Sequence, residues 1–347
     1  YVADMAARFG LVAVSHVVEV AANDGYLLQY VKARGIPCTG IEPTASTAAA
    51  ARARGIPIVE DFFGVRLAKE LAAQGRQADL MAANNVLAHV PDINDFAAGF
   101  AHLLKPQGVA TFEFPHLMRL VAENQFDTIY HEHFSYLSLG TVSRIFAGAG
   151  LAVFDVEELP THGGSLRVYS QRADSGRQLR SGRVDALLRR EAQAGMLEPD
   201  FYADFQARTD KAKNDFLAFL LQMKREGRRV AAYGAAAKGN TLLNYAGVRP
   251  DLIPFVVDRN PAKQGKYLPG SRIPIVGEER LKEARPDCIV LLPWNLRDEI
   301  VEQLAFQPLT GRIARLLLEQ YPTDQDVVHR HLTLDEMASR VGTTREI

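Results

Sequence analysis

From His16 to Gln171, short unbroken apolar runs alternate with longer stretches whose apolar residues recur every three or four positions. Strands buried on both faces read as continuous apolar runs, and the helices that cover them carry a single apolar stripe. The pattern therefore predicts a parallel sheet built from strand-helix-strand units. Strands are predicted at His16–Ala21, Cys38–Glu42, Ile58–Glu60, Leu80–Asn84, Val109–Phe114, Leu151–Glu157 and Leu166–Ser170. Only the turn Pro160-Thr161-His162-Gly163-Gly164 separates the last two, which predicts an antiparallel hairpin at one edge. A dinucleotide-binding dehydrogenase would place another helix there.

Residues from Gly182 to Glu226 carry long helix-forming side chains, with Phe205, Phe216, Phe219 and Leu220 near helical spacing. A second α/β unit follows, with a strand at Arg229–Tyr233, a glycine turn and a helix at Ala237–Ala246. Further strands are predicted at Ile253–Asp258, around Ile275 and at Cys288–Pro293. The predicted organisation is a sheet domain at 1–175, a helical connector at 176–226, a smaller α/β domain at 227–307 and a helical tail at 308–347. The tail contains Leu332-Thr333-Leu334-Asp335-Glu336-Met337-Ala338-Ser339-Arg340-Val341-Gly342, with Thr333 and Glu336 spaced as a capping box and Gly342 at a turn. It resembles the helix-turn-helix of cyclic-AMP-receptor-type regulators but stops at Ile347, where a recognition helix has barely begun. Reading bases needs that helix in the major groove, so no specific nucleic-acid binding is expected. An amphipathic helix pair packed on the rest of the chain is an equal alternative.

Composition narrows the picture. A chain of 347 residues exceeds one ordinary core, and 47% apolar with 23% charged residues is the balance of a globular protein. Forty basic against 41 acidic residues give a net charge of -1, which excludes a chain-wide footprint for nucleic acid or anionic lipid. The two cysteines, Cys38 and Cys288, supply neither a disulfide framework nor a structural zinc site. With no membrane-spanning run and no signal peptide visible, a cytoplasmic location is expected. The sequence opens at Tyr1 inside a stretch that reads like the middle of a helix, so a preceding segment is expected. Nothing in the sequence sets an oligomeric state.

An acidic residue at a strand end, a turn of small residues and a helix start let backbone approach a nucleoside without a clashing Cβ. The first strand runs into such a turn in Val17-Val18-Glu19-Val20-Ala21-Ala22-Asn23-Asp24-Gly25-Tyr26. Glu42 ends the next strand in Gly40-Ile41-Glu42-Pro43, where an acidic side chain is placed to accept from both ribose hydroxyls. Asp61-Phe62-Phe63 follows the third strand and suits an adenine site. Asn84-Asn85 follows the fourth, and Leu103-Leu104-Lys105-Pro106-Gln107-Gly108 leads into the fifth. No G-x-G-x-x-G or Walker phosphate cradle is present.

This series resembles the class I S-adenosylmethionine-dependent methyltransferases, and specifically the bacterial sugar C-methyltransferases, whose first motif reads E-x-G-x-N-D-G. Ala21 stands at its first glycine. The resemblance implies an α/β fold with a Rossmann-like seven-stranded sheet, followed by a helical connector and a smaller α/β domain. It also implies S-adenosylmethionine as cofactor and S-adenosylhomocysteine as product. Cofactor contacts are implied at Glu19, Ala21, Asn23, Gly25, Tyr26, Glu42, Asp61, Phe62, Asn84 and Asn85.

The densest cluster is Gln125-Phe126-Asp127-Thr128-Ile129-Tyr130-His131-Glu132-His133-Phe134-Ser135-Tyr136. Two histidines flanking a carboxylate fit a metal site, an acid/base site or a polar loop, and ligation needs a third ligand that the spacing does not supply. No metal is expected. The string resembles the F-D-x-I-Y-x-E-H-F motif of the same family, which implies catalytic roles for Tyr130, Glu132 and His133, the last as base. His89 in Leu87-Ala88-His89-Val90-Pro91, and His162, Gly163 and Gly164 in the hairpin turn, match further family segments and imply substrate contacts. In Tyr233-Gly234-Ala235-Ala236-Ala237-Lys238-Gly239-Asn240 a strand, a small-residue turn and a helix start come together. Tyr233, Lys238 and Asn240 are expected there at a diphosphate. Family members usually begin with a cysteine-rich zinc module, which this sequence does not contain.

The reaction implied is C-methylation, at C3, of a nucleotide-diphospho-4-keto-6-deoxy sugar through an enolate. The alternatives are an O- or N-methyltransferase acting on another small molecule, and a DNA-binding regulator with a cofactor-sensing domain.

Overall fold

The computed structural model describes residues 1–296 and 300. The helix-turn-helix-like tail expected at 308–347 lies outside the described residues. The chain divides into two compact units. One holds Tyr1–Leu120 and His131–Tyr202, and the other holds Val121–Tyr130 and the chain from Ala203 onward.

In the first unit, β1 (Val17–Val20), β2 (Cys38–Ile41), β3 (Ile58–Val59), β4 (Ala78–Asn84), β5 (Leu104–Pro115), β6 (Leu151–Leu159) and β7 (Ser165–Arg172) form one sheet in the order β3-β2-β1-β4-β5-β7-β6. Neighbours are parallel except β7, which runs antiparallel to β5 and β6. This is the class I methyltransferase sheet. Successive residues serve opposite faces: Val18, Val20, Met81 and Phe112 enter one core, while Val17, Leu80, Val109 and Tyr169 enter the other. The helix Ile93–Leu103 starts where Asp92 accepts the Asp95 N–H, and Leu139–Gly148 starts where Ser138 accepts that of Thr141. The fifth strand begins earlier than the predicted Val109. Leu104 leaves the helix in an extended conformation and pairs with Ala78, before a register shift brings Val109 opposite Leu80.

The connector expected over 176–226 is divided. Gly182–Gln193 places Val184 and Leu187 in the first unit's core, whereas Phe205–Arg225 gives Phe216, Leu220 and Met223 to the second. Helical periodicity shows that a stripe is buried, not which sheet it covers.

The second unit carries β8 (Val230–Tyr233), β9 (Val256–Val257), β10 (Ile275–Val276) and β11 (Cys288–Leu291), all parallel, in the order β10-β9-β8-β11. The strand expected from Ile253 is cut short, because the Leu252 and Ile253 N–H groups bond back to the Arg249 carbonyl and Pro254 has none to give. Val121–Tyr130 packs within this unit. Phe126 joins its core, Arg208 donates to the Val121 and Ala122 carbonyls at 2.7 and 3.2 Å, and Thr209 donates to Asn124 at 2.8 Å.

No helix among the described residues is long and apolar enough to cross a membrane.

The rings of Phe100, Phe112 and Phe146 stack through the first core with centroids 4.5 Å apart at each step, and all three are fully buried. Phe112→Ala removes the middle ring. It should lower the stability of this unit by about 3–5 kcal/mol in urea unfolding. A loss below about 1 kcal/mol would contradict this account of the core.

Candidate active site

Parallel strands deliver their carboxyl ends to one edge, and in the first unit the chemistry collects there. At the end of β1, Ala21 and Asn23 adopt φ of 59° and 50°, a left-handed turn that L residues enter only under constraint. The constraint is Glu42. Its buried carboxylate accepts the Asn23 N–H at 3.0 Å and the Thr44 N–H at 2.9 Å, joining the turns after β1 and β2. A carboxylate offers about four acceptor positions, so capacity is left for hydroxyl donors. Gly40, opposite Glu19 in the β1–β2 register, has no room for a side chain: a Cβ there would meet Ile58 Cδ1 at 2.4 Å and Ala22 Cβ at 2.7 Å.

Glu19 is 6% exposed, and one of its oxygens has no hydrogen-bond partner in the structure. Burial, and then the nearby Asp24 carboxylate, push its carboxyl up to about 8. Asn84, at the end of β4, likewise keeps a buried side-chain oxygen without a partner. Two unmatched acceptors at neighbouring strand ends suit a ligand that brings hydrogen-bond donors. Tyr26 lies exposed, edge-on to Tyr30 at 5.8 Å. Asp61 is held by Arg66 at 2.6 Å, and Phe62 is 78% exposed.

After β4 the chain turns at Asn85 into the short 3-10 helix Leu87–His89. The Phe134 and Ser135 N–H groups both donate to the Ala88 carbonyl, at 2.8 and 3.2 Å, which straps the loop carrying His133 to this turn. The His133 ring meets His89 edge-on at 4.7 Å and Tyr136 at 6.0 Å. Glu132 and His131 are exposed in the same unit, whereas Tyr130 belongs to the other. The His162 turn, with Gly163 and Gly164, closes the β6–β7 hairpin, and Asn85 Nδ2 stands 2.9 Å from His162 Nε2. No group of three or more His, Cys, Asp or Glu among the described residues is placed to hold a metal ion.

In the second unit the strand order reverses between β8 and β11, where open α/β sheets bind ligands. The helix Ala237–Tyr245 begins there without a side-chain cap. Gly239 lets it lie against the residue that follows β11, since a Cβ would meet Leu292 Cβ at 2.5 Å. Asp258 accepts the Ala235 N–H at 2.8 Å and fixes the turn before it, while Tyr233 donates to Glu278 at 2.6 Å. The Lys238 ammonium is buried with no hydrogen-bond partner and lies 4.6 Å from the centre of the Trp294 ring. Trp294 Nε1 donates to Asp127 at 2.6 Å. Burial pushes the Lys238 ammonium down and the Asp127 carboxyl up. Trp294 was not among the residues singled out from sequence, and Asp127 stood there only within the 125–136 string, with no role of its own. The position of Trp294 just beyond β11, at the carboxyl edge, was the available signal.

The Glu19 carboxyl sets a pH dependence. Its folded value lies above the ordinary 4.5, so its contribution to stability is complete below about 4.5 and is lost as pH rises toward about 8. Glu19→Gln cannot titrate. Its stability relative to wild type should therefore rise across that window in urea unfolding and level off above it. A constant difference from pH 4.5 to 8 would contradict the assignment.

A family profile described as "Methyltransferase domain" matches residues 1–156, and one described as "C-methyltransferase C-terminal domain" matches residues 160–314. The chain is similar to an S-adenosylmethionine-dependent methyltransferase from Mesorhizobium loti, with a TM-score of 0.38 and 16% identity over 50% of this chain and 98% of that one. It is also similar to magnesium protoporphyrin IX methyltransferase from Synechocystis, with a TM-score of 0.38 and 14% identity over 49% of this chain and 76% of that one. Among curated proteins, the C-methyltransferase NovU of Streptomyces niveus is 36% identical over 295 residues, covering 85% of this chain and 70% of that one. The chain belongs to the S-adenosylmethionine-dependent C-methyltransferases.

Proposed function

We propose that the carbon methylated is C3 of a nucleotide-diphospho-4-keto-6-deoxy sugar and that His133 is the base. The observation that carries this reading is the pairing of His133 with His89 at the carboxyl edge of the methyltransferase sheet, held by two hydrogen bonds to the Ala88 carbonyl. A C–H bond yields to a base of neutral strength only when a neighbouring carbonyl can take the electron pair as an enolate. An imidazole, with an ordinary pKa of about 6.5, suits that task. His133 accepts the C3 proton, the C–H pair moves into the enolate, and the carbon becomes the nucleophile. His89 and Tyr136 stand against the His133 ring and orient it, and Glu132 or Tyr130 is assigned to orient the ring or stabilise the enolate.

The unmatched acceptors of Glu19 and Asn84, together with the Glu42 carboxylate, fit the ammonium and ribose hydroxyls of S-adenosylmethionine. Ala21, Asn23 and Gly25 bring backbone close, and Tyr26, Asp61 and Phe62 flank the adenosine end. When bound, the cofactor supplies an electrophilic methyl carbon. The buried Lys238 ammonium, beside an uncapped helix start and Trp294, fits the diphosphate of the substrate, with Tyr233 at the end of β8 and Asn240 in the helix.

His133→Gln should retain cofactor and substrate binding in calorimetry. It should lose methylation by about 10²- to 10⁴-fold, the usual cost of removing a positioned base. It should also abolish exchange of the substrate C3 proton in heavy water, whereas His131→Gln should keep both activities. Near-normal methylation by His133→Gln would remove it as the base.

A further inference from the structure

In the second unit a buried cation and a buried carboxylate are neighbours without touching. Lys238, in the first turn of the helix Ala237–Tyr245, has a buried ammonium that makes no hydrogen bond among the described residues. Asp127 lies in the 3-10 turn Phe126–Thr128 and is 6% exposed. Thr128 locks that turn by donating its N–H and its hydroxyl to the Gln125 carbonyl, at 3.1 and 2.7 Å. The Phe126 ring packs against Tyr245, at the far end of the Lys238 helix, with centroids 5.7 Å apart. The two charges sense each other. Burial pushes the Lys238 ammonium down and the Asp127 carboxylate counters it, while burial pushes the Asp127 carboxyl up and the Trp294 N–H and Lys238 counter that.

A lysine and an aspartate buried side by side would ordinarily close into a salt bridge, which an incoming anion would have to break. Trp294 stands in the way. Its Nε1–H donates to Asp127 at 2.6 Å, and the centre of its ring lies 4.6 Å from Lys238 Nζ. The ring face attracts the ammonium without accepting a conventional hydrogen bond from any of its three N–H donors. The indole is itself held in place. Its backbone N–H donates to the Leu292 carbonyl at 3.0 Å, and the preceding Pro293 packs on Gly234, where φ is 89° and a Cβ would meet Pro293 Cδ at 2.5 Å. We propose that Trp294 is a positioning residue that keeps Asp127 from capturing Lys238, so that the ammonium keeps its donors for an anionic group of the substrate. This rests on the reading of Lys238 as the diphosphate partner. The countercharge is then close enough to support a buried cation, while the carboxylate is directed at the indole rather than at the ammonium.

The test uses inorganic pyrophosphate as the probe, titrated into the whole chain by calorimetry. The sequence contains a single tryptophan, so emission from the same titration reports on Trp294 alone. Wild type should bind with a change in that emission, and Lys238→Ala should weaken binding by about tenfold or more, as loss of a charge-assisted partner does. Trp294→Ala should also weaken binding by about tenfold or more, because Asp127 then pairs with the ammonium and the anion must displace it. Adding Asp127→Asn to Trp294→Ala should recover most of the lost affinity, since an amide carries no charge to compete. A double variant as weak as Trp294→Ala overturns the proposal, because simple loss of packing around Lys238 gives that result. Trp294→Ala at wild-type affinity overturns it too. Should Trp294→Ala fail to fold, wild type decides: Lys238-dependent binding without a change in emission places the anion away from the ring and overturns the proposal. Pyrophosphate binding that Lys238→Ala leaves unchanged, or none at all, is a different failure. It removes the diphosphate reading itself, and this proposal with it.

Discussion

The parallel pairing of β1 with β2 on one side and β4 on the other is the constraint on which the cofactor end of the first unit rests. It sends the turns after Val20, Ile41 and Asn84 to one edge, where backbone groups that the sheet no longer pairs are free to be organised by side chains. Glu42 joins the first two turns by accepting a backbone N–H from each, and the left-handed residues Ala21 and Asn23 are the strain it sustains. Ala21, at a position where the family motif has glycine, takes a φ of 59° in the left-handed region.

The same economy appears around β5. Glu113 serves the Asn85 turn through its carbonyl and the His162 turn through its carboxylate, so one residue in the middle of the sheet registers two turns distant in sequence. In the second unit, Trp294 stands between two charged groups, donating to Asp127 and lying against the Lys238 ammonium, and Asp127 belongs to the stretch just before the His131-Glu132-His133 run. The chain thus passes from a segment packed with Phe126 in the second unit's core directly into the loop that carries His133 in the first.

The parallel strands, the terminal hairpin and the strand-end positions of Glu19, Glu42 and Asn84 were legible in sequence, because each rests on local periodicity or on a turn, whereas His133 was reached through its resemblance to a family motif. What escaped were pairings between distant positions. Asn85 and His162 stand 77 positions apart and Asp127 and Trp294 stand 167 apart, and no local pattern announces either contact. The division of the predicted connector escaped for a related reason: Val184 and Phe216 both mark buried helical faces, but only the fold assigns them to different cores. The shortened ninth strand turned on the missing N–H of Pro254 and on backbone bonds to Arg249, details of turn geometry rather than apolar pattern.

The most direct measurement supplies S-adenosylmethionine labelled with carbon-13 in its methyl group, together with a nucleotide-diphospho-4-keto-6-deoxy sugar, and reads the product by carbon-proton correlation. The account predicts a methyl group bonded to carbon, at C3, with the C3 proton gone. A labelled methyl group on oxygen or nitrogen would contradict it.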